Sequence, residues 1–178
     1  FKRFNNEEEV ITLLERDLSV AAAAPVKAIL IPVSELYQTQ LLQGICLDEL
    51  DIEVTDFRLN PQLLKNNTDA AMITETVYSH LLRSNCPVTN QPDWGSVSIA
   101  YTGQAIDHES LLRYLISFRE HNDFHEQCVE RIFCDILRLC QPEKLTVQAY
   151  YTRRGGLDIN PFRSNVDLAG QFQRLVRQ

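Results

Sequence analysis

Apolar residues in the second part of the chain recur with two periods, which predict strands on either side of two helices. Alternation with a period of two predicts strands over residues 72–84, 97–101 and 145–151. After a turn at Arg154-Gly155-Gly156, the alternation resumes at Leu157 and Ile159 and predicts one more strand.

Helical spacing fills the interval between the second and third of these strands. Asp107 is a candidate cap for a first helix, and Asn122 or Asp123 for a second one that ends at Gln141-Pro142. The second helix has the stronger pattern, with apolar residues at i, i+3, i+4, i+7, i+8 and i+11. These are Val129, Ile132, Phe133, Ile136, Leu137 and Cys140.

The N-terminal part has a weaker pattern. It predicts a helix over residues 7–19 with Asn5 as cap, a buried strand over 25–33 and a strand that ends near residue 59. A polar, Asn-rich stretch over residues 60–69 then predicts a seam. We therefore expect an N-terminal part over residues 1–60 and a fuller C-terminal part over residues 61–178.

The order strand, strand, helix, helix, strand, strand predicts an α+β fold. Hairpins that flank two consecutive helices form an antiparallel sheet with the paired helices on one face. The opposite face of such a sheet stays uncovered. Closing it requires another copy of the fold, either by fusion or by oligomerisation.

Charge and composition exclude several classes of protein. With 17 basic and 24 acidic side chains the net charge is −7, which argues against a general binder of nucleic acids or anionic membranes. No apolar run approaches the roughly 20 residues of a membrane-spanning helix. Residues 144–178 carry six basic and two acidic side chains. This basic end either meets one anionic small molecule or is simply a solvated surface.

A loop cysteine and an aspartate form the densest candidate for chemistry. Cys86 and Asp93 are seven residues apart in a Pro-rich connection between two predicted strands. A free thiol has a pKa of about 8.5, so attack requires a partner that stabilises the thiolate or takes its proton. Asp93 is a candidate partner, or a general acid shielded by Trp94. The alternative is a buried loop cysteine with an aspartate that holds turn amides.

The other four of the five cysteines are Cys46, Cys128, Cys134 and Cys140. The total of five cysteines is odd and no C-x-x-C pair occurs. Most of these four are therefore expected to be small core residues, and a reducing cytoplasm is the simplest setting.

Two further segments carry polar groups suited to binding. Glu126 opens a helix beside His125, and a carboxylate there can accept two parallel hydrogen bonds from the pyrimidine edge of a guanine or a pterin. A routine acid at a helix start is the alternative. Arg154 and Gly155 lie in a Gly-Gly turn, where a guanidinium and backbone amides suit a phosphate. The alternative is a turn that uses glycine only for its positive φ.

Three motifs in this order resemble the NADPH-dependent 7-cyano-7-deazaguanine reductase family, the nitrile reductases of queuosine (modified tRNA nucleoside) biosynthesis. They are C-P-V-T-N-Q-P-D-W-G-S from Cys86, H-E-Q-C-V-E-R from His125 and Y-T-R-R-G-G-L-D-I-N-P-F-R-S from Tyr151. The resemblance covers essentially the whole chain and is closest to the form with two fused tunnelling-fold (T-fold) modules. It implies two tandem modules here, with the first one truncated.

The resemblance also implies roles for six residues. Cys86 would be the nucleophile that attacks the nitrile carbon and forms a covalent thioimide, and Asp93 the proton donor. His125 and Glu126 would bind 7-cyano-7-deazaguanine. Arg154 and Gly155 would bind NADPH, which reduces the nitrile to 7-aminomethyl-7-deazaguanine. No metal is implied, and we expect a cytoplasmic homodimer.

The chain departs from the family pattern at its N-terminus. The family's E-[SL]-K segment, which carries further binding residues, does not occur here. Residues 1–57 resemble only the later part of the first module. Together with a start at Phe1 rather than Met, this predicts that an N-terminal part is missing.

Two other functions remain open at the level of sequence. One is another T-fold enzyme for purines or pterins, such as a zinc-dependent cyclohydrolase, although the four histidines show no ligand spacing for zinc. These are His80, His108, His121 and His125. The other is a purine-binding scaffold without catalysis, which would keep Glu126 but would not require Cys86 and Asp93 as a pair.

Overall fold

The computed structural model describes residues 3–32, 34–35, 39–68, 71–167 and 173–178. The chain divides into two compact units, Phe1–Gln38 and Thr39–Gln178. Residues 33 and 69, at the edges of a predicted strand and of the predicted seam, lie outside the described part.

The first unit contains one helix, α1 (Glu7–Ala22), which confirms the predicted helix. Its cap is Asn6 and not Asn5, because the Asn6 side chain accepts a hydrogen bond from the Glu9 amide at 2.9 Å. The predicted strand after the helix is wrong, since residues 25–32 have no regular secondary structure. Two backbone amides of this segment donate hydrogen bonds to side chains of α1 and not to a neighbouring strand. The Val26 amide donates to Ser19, and the Ala28 amide donates to Glu15.

The second unit contains seven strands and two helices among the residues described. The strands are β1 (Thr39–Gln40), β2 (Ile45–Cys46), β3 (Met72–Asn85), β4 (Pro92–Gln104), β5 (Lys144–Tyr151), β6 (Phe162–Ser164) and β7 (Arg174–Leu175), and the helices are α2 (His108–Ile116) and α3 (His125–Cys140). The helix α2 continues as a 3₁₀ turn over Ser117–Glu120.

Five strands form the main sheet in the order β2-β3-β4-β5-β6. The pairs β3–β4, β4–β5 and β5–β6 are antiparallel, and β2 joins β3 in parallel. This confirms the predicted order of elements and the α+β class. The strand that pairs with β5 at the end of the main sheet is β6, and not the predicted strand at Leu157 and Ile159. Leu157 instead closes a turn with Arg154 through two backbone hydrogen bonds.

Both helices pack on one face of the sheet. Val97, Ile99 and Tyr101, alternate residues of β4, lie in one core with α2 and α3. Burying this apolar face is the main stabilising contribution to the unit. The opposite face has smaller and more polar side chains such as Ser98 and Gln148, and there a second cluster forms from Leu42, Tyr150 and Leu175.

Residues 39–60 belong to the same compact unit as the sheet. Leu47 is fully buried in the core, and Ile52 and Val54 pack against it in part. The predicted strand over residues 50–59 is wrong, because this segment has no strand structure. Its alternate apolar residues pack against the core, but its backbone does not pair with the sheet. The second unit, Thr39–Gln178, forms a single α+β module among the residues described. The assignment of residues 1–60 to a first module stays a prediction.

The cysteines of α3 differ in burial. Cys128 and Cys140 are buried in the core, whereas Cys134 is exposed, so the expectation of a core residue is wrong for Cys134. Burial raises the pKa of the Cys128 thiol to about 11. None of the described helices is long and apolar enough to cross a membrane.

A buried hydrogen bond joins the two helices. The Tyr114 hydroxyl on α2 donates to Asp135 Oδ2 on α3 at 2.9 Å, while Arg138 donates to Oδ1 at 2.6 Å. Burial and the nearby Asp135 carboxylate raise the pKa of Tyr114, so its hydroxyl stays protonated and can donate. This contact fixes the position of α3, whose first residues line the site described below.

Removing the Tyr114 hydroxyl is expected to destabilise the protein. Tyr114→Phe takes one of two donors from the buried Asp135 carboxylate, so the free energy of unfolding should fall by about 1.5–3 kcal/mol. Denaturant unfolding measures this change. Tyr150→Phe is the matched control, because the Tyr150 hydroxyl accepts only from the neutral Gln173 amide among the described partners, and about 1 kcal/mol or less should be lost. Equal losses in the two variants would contradict a special contribution from the helix-joining bond.

Candidate active site

One cavity of about 320 Å³ contains five of the six predicted site residues. It lies between the facing ends of β3 and β4, the start of α3 and the turn after β5. It is lined by Cys86, Asp93, Phe124, His125, Glu126, Thr152, Arg154, Leu157 and Ile159. Gly155, the sixth predicted residue, follows Arg154 in the turn. A cavity of this volume is at the small end of the range for ligand pockets.

Cys86 is the first residue after β3 and opens a tight loop over residues 86–91. Its amide donates to the Gln91 carbonyl, and its carbonyl accepts from the Asn90 amide, both at 2.8 Å. Asn90 has a φ of 56°, in the left-handed region that asparagine tolerates. These bonds keep the half-buried thiol at the mouth of the cavity.

The environment of Cys86 favours the thiolate. Hydrogen bonds from the Thr89 hydroxyl and from the Thr89 and Val88 amides lower the pKa of the thiol to about 7, and Arg154 adds to this effect. A larger fraction of this thiol is therefore ionised near neutral pH than of an ordinary cysteine. By contrast, the buried Cys128 has a raised pKa. Cys86 thus has the electronic character of a reactive cysteine.

Asp93 lies on β4, and only 5% of its surface is exposed. Its Oδ1 accepts from Arg154 Nη1 at 3.0 Å, and His125 Nε2 lies 3.2 Å from its Oδ2. The expectation that Trp94 shields this carboxyl is wrong. Successive residues of a strand point to opposite faces, and Trp94 is half exposed under the Arg83 guanidinium.

His125 is the first residue of α3, which begins after Phe124 and not after Asn122 or Asp123 as predicted. The Phe124 carbonyl accepts the first helical hydrogen bond, from Cys128, whereas the Asp123 carboxylate is used by the Phe124 amide. The His125 ring is buried and stacks on Tyr151 at 3.9 Å between centroids. Its Nδ1 has no hydrogen-bond partner among the described residues.

Glu126 is exposed and follows His125 in the first turn of α3. Within the described part of the chain, its side chain forms no hydrogen bond or ion pair. The carboxylate can therefore accept two hydrogen bonds from a ligand in the cavity without breaking an internal contact.

Arg154 begins a two-residue turn that both glycines make possible. Gly155 and Gly156 have φ values of +60° and +85°, which other residues rarely adopt. No atom lies within 4 Å of a Cβ built on either glycine, so the turn is open on its outer side. The guanidinium, however, points inward, where Nη2 donates to Gln91 Oε1 at 2.7 Å and Nη1 to Asp93.

Three residues of the site were not predicted. Thr89 and Gln91 belong to the Cys86 loop, and no periodicity marks them because each acts through a loop contact. Tyr151 was predicted as a strand residue only. Tyr151 and Ala149 alternate on the side of β5 that faces the core. This alternation was the one sign in the sequence that Tyr151 lies beneath the helix that carries His125.

The comparisons with known proteins agree with these motifs. Residues 92–169 match the family model described as QueF-like protein. The chain is 56% identical over 177 residues to the NADPH-dependent 7-cyano-7-deazaguanine reductase of Hydrogenovibrio crunogenus. That match covers 99% of this chain and 64% of the relative, so the chain spans less than two thirds of the relative's length.

A solved structure with similarity to this chain is the apo form of the archaeosine synthase QueF-Like. The two structures share a TM-score of 0.46 and 15% sequence identity, over 55% of this chain and 95% of the other. The sequence matches are the more extensive. Over nearly its whole length the chain is thus similar to an NADPH-dependent 7-cyano-7-deazaguanine reductase, which confirms the resemblance that its three motifs indicate.

Proposed function

We propose that this chain carries the site at which the nitrile of 7-cyano-7-deazaguanine is reduced to a primary amine with NADPH. One observation supports this proposal most strongly. The Cys86 thiol, with its pKa lowered to about 7, shares a cavity with a buried Asp93 and with Glu126, which has no partner in the described part of the chain. These three groups supply a nucleophile, a proton relay and an acceptor for a guanine-like edge.

Cys86 acts as the nucleophile in this proposal. Its thiolate attacks the nitrile carbon, so that a C–S bond forms and the C≡N bond becomes C=N, with one electron pair moving to nitrogen. A proton added to this nitrogen completes a neutral thioimide. The covalent step converts a poor hydride acceptor into a reducible one.

Asp93 is the proposed source of that proton. In the ligand-free arrangement its two oxygens face His125 Nε2 and Arg154 Nη1. The carboxylate first takes up a proton through His125, whose Nε2 lies 3.2 Å away, and then passes that proton to the substrate nitrogen. We therefore assign Asp93 as the immediate donor and His125 as the group that orients it.

Substrate binding is assigned to Glu126 together with His125. The Glu126 carboxylate accepts from the ring N–H and the exocyclic NH₂ of the guanine-like edge, as two parallel charge-assisted hydrogen bonds. Phe124, Leu157 and Ile159 give the cavity apolar walls for the flat ring system. Their exposed surfaces lose water when the ring binds, which favours binding.

Arg154 and Gly155 are the candidate contacts for NADPH. The guanidinium and the open glycine turn fit a phosphate group, because an Arg fork and exposed backbone amides both donate to phosphate oxygens. NADPH supplies hydride when bound, and two equivalents supply the four electrons that separate a nitrile from an amine. In this proposal Arg154 supplies a positive charge to the cavity that also contains Cys86.

The surroundings of the site also support a homodimer in the cytoplasm. The sheet face opposite the helices has a cavity of about 310 Å³, and a second copy is the occupant that its exposed Leu41 and polar lining would suit. All five cysteines are free, which fits a reducing compartment.

A zinc cyclohydrolase remains less well supported, since the described residues contain no group of three or more His, Cys, Asp or Glu side chains placed to hold a metal.

A covalent adduct on Cys86 is the first expected result. When 7-cyano-7-deazaguanine is added to the protein without NADPH, intact-mass spectrometry should show one added ligand mass. Cys86→Ala should abolish the adduct, because no other thiol lines the cavity. Cys134→Ala is the control, since this exposed cysteine lies outside the cavity and its loss should leave the adduct intact. An adduct that survives in Cys86→Ala, or none with saturating ligand in the wild type, would overturn the assignment.

Asp93→Asn is expected to separate binding from chemistry. The amide keeps the shape of the side chain but lacks the acid, so adduct formation should slow by about 10²–10⁴-fold. Substrate affinity, measured by calorimetry in a Cys86→Ala background, should change little. Asp158→Asn is the control, because Asp158 pairs with Arg153 at 3.7 Å outside this contact network. An unchanged rate in Asp93→Asn would mean that the carboxyl is only structural.

Glu126→Gln is expected to weaken substrate binding selectively. Loss of one charged acceptor from a paired N–H edge should reduce affinity by about 10- to 100-fold. NADPH affinity should stay the same, and both constants can be measured by calorimetry. Glu130→Gln, one turn further along α3 and paired with Arg163, is the matched control. If both ligands are weakened equally, the variant has perturbed the fold and Glu126 has no selective role.

A further inference from the structure

The His125 imidazole has a polar contact at one nitrogen only among the described residues. Its Nε2 lies 3.2 Å from Asp93 Oδ2, whereas its Nδ1 is buried and has no hydrogen-bond partner there. A contact at one nitrogen leaves the ring free to turn about that contact, and a histidine in a site is commonly oriented by a second bond at its other nitrogen. The plane of this ring is therefore set by a contact other than a hydrogen bond.

Tyr151 supplies that contact. Its ring stacks on the imidazole with 3.9 Å between the two centroids and 6° between the two planes. Both residues are buried, and Tyr151 is fully inaccessible to water. Two flat rings in such close and parallel contact restrict each other's tilt, because tilting one against the other loses many van der Waals contacts at once. The stack therefore fixes the plane of the imidazole.

Gly95 leaves the space that the Tyr151 ring occupies. The two residues are direct partners in the register of β4 and β5, and Gly95 lies two residues after Asp93 on the same face of the strand. A Cβ built on Gly95 would lie 3.1 Å from Cδ1 and 3.3 Å from Cε1 of the ring, which is tighter than ordinary carbon contacts. The φ of Gly95 is not positive, so the site uses its missing side chain and not its backbone freedom.

We propose that Gly95 and Tyr151 are positioning residues: the Tyr151 ring lies on the bare backbone of Gly95 and holds the His125 imidazole in the plane in which Nε2 faces Asp93. The stack contains one residue from each of the three sequence motifs. The inference deepens the proposed function, because it rests there on Asp93 as the proton donor and His125 as the group that orients it. The geometry of the stack does not depend on that function.

The ring of Tyr151, and not its hydroxyl, has this role. The hydroxyl lies near Ser84 and Cys128 but makes no hydrogen bond of ordinary geometry with a described residue. Burial raises the pKa of Tyr151 well above its ordinary value, so the hydroxyl is neutral near physiological pH. Tyr151→Phe keeps the stacked ring and Tyr151→Leu removes it. These two substitutions therefore separate the contribution of the ring from that of the hydroxyl.

The position of the imidazole can be measured without substrate or NADPH. In NMR spectra of the 178-residue chain, the carbon-bound ring protons of His125 are assigned by their loss in His125→Gln. The ring current of an aromatic ring beneath the imidazole shifts these signals upfield. Tyr151→Leu should move them downfield, Gly95→Ala should move them by a smaller step, and Tyr151→Phe should leave them close to the wild type.

The rate of adduct formation with 7-cyano-7-deazaguanine measures the effect on chemistry. A displacement of about 1 Å in a site can cost about 10²-fold, so Tyr151→Leu should slow the adduct by about that factor and Gly95→Ala by about 3- to 10-fold. Tyr151→Phe should react at a rate close to that of the wild type. In the Tyr151→Leu background, Gly95→Ala should have no further effect, because the ring that it displaces is absent.

Gly103→Ala is the matched control. Gly103 lies towards the other end of β4, where a Cβ would be 2.8 Å from the Pro142 Cα, so this substitution strains the packing at least as much but away from the cavity. It should lower the Tm and leave the His125 signals and the adduct rate unchanged. Circular dichroism checks the fold of every variant. If Tyr151→Leu does not fold, Gly95→Ala and Tyr151→Phe still test the inference.

Three results would overturn the inference. They are His125 signals that keep their wild-type positions in Gly95→Ala, a Tyr151→Phe variant as slow as Tyr151→Leu, and an equal slowing in Gly103→Ala. If the wild type forms no adduct, the nitrile chemistry is refuted, and the His125 signals still decide whether Gly95 and Tyr151 position the imidazole.

Discussion

The burial of the Asp93 carboxylate is the constraint on which the site depends. A carboxylate removed from water costs several kcal/mol unless donors replace the lost hydration. Here Arg154 donates to one oxygen, and His125 Nε2 lies 3.2 Å from the other. Because these partners come from the turn after β5 and from the start of α3, pairing the charge also assembles the walls of the cavity.

The same end of the sheet fixes Cys86 to the helices. Asn85, the last residue of β3, accepts from the Asp123 amide at 3.1 Å and donates to the His121 carbonyl at 2.9 Å. Its side-chain amide donates to the Arg119 carbonyl at 3.1 Å. The residue before Cys86 is therefore tied to the connection between α2 and α3. Two backbone bonds and one side-chain bond of Asn85 hold Cys86 and His125 relative to each other.

Periodicity in the sequence predicted the elements whose burial alternates regularly. β3, β4, β5, α2 and α3 each bury one side against a shared core, so their apolar spacing is direct evidence of structure. The two strands predicted in the N-terminal part failed for a different reason. Residues 25–32 give backbone donors to side chains of α1, and the segment near Ile52 is half buried without a pairing partner.

Sequence motifs singled out residues of which five line one cavity, but they did not predict how those residues interact. Arg154 was expected at a phosphate, yet its guanidinium contacts Asp93 and Gln91 in the ligand-free structure. Thr89 carried no signal, because its effect on Cys86 depends on the direction of a single hydroxyl proton. Such directions arise from tertiary contacts between the loop and the turn after β5, which are 60 or so residues apart in the chain.

The two acidic residues of the cavity differ in a way that separates their roles. Asp93 is buried and paired, so its energy is tied to the positions of Arg154 and His125. Glu126 is exposed and unpaired within the described residues, so it can exchange water for a ligand at little structural cost. Adding a proton to Asp93, or removing its cationic partner, must therefore change the contact between Asp93 and Arg154. Binding of a ligand to Glu126 need not change that contact. Arg154 also lowers the pKa of Cys86, so any group that draws this guanidinium away from Asp93 alters the surroundings of Cys86 and of Asp93 together.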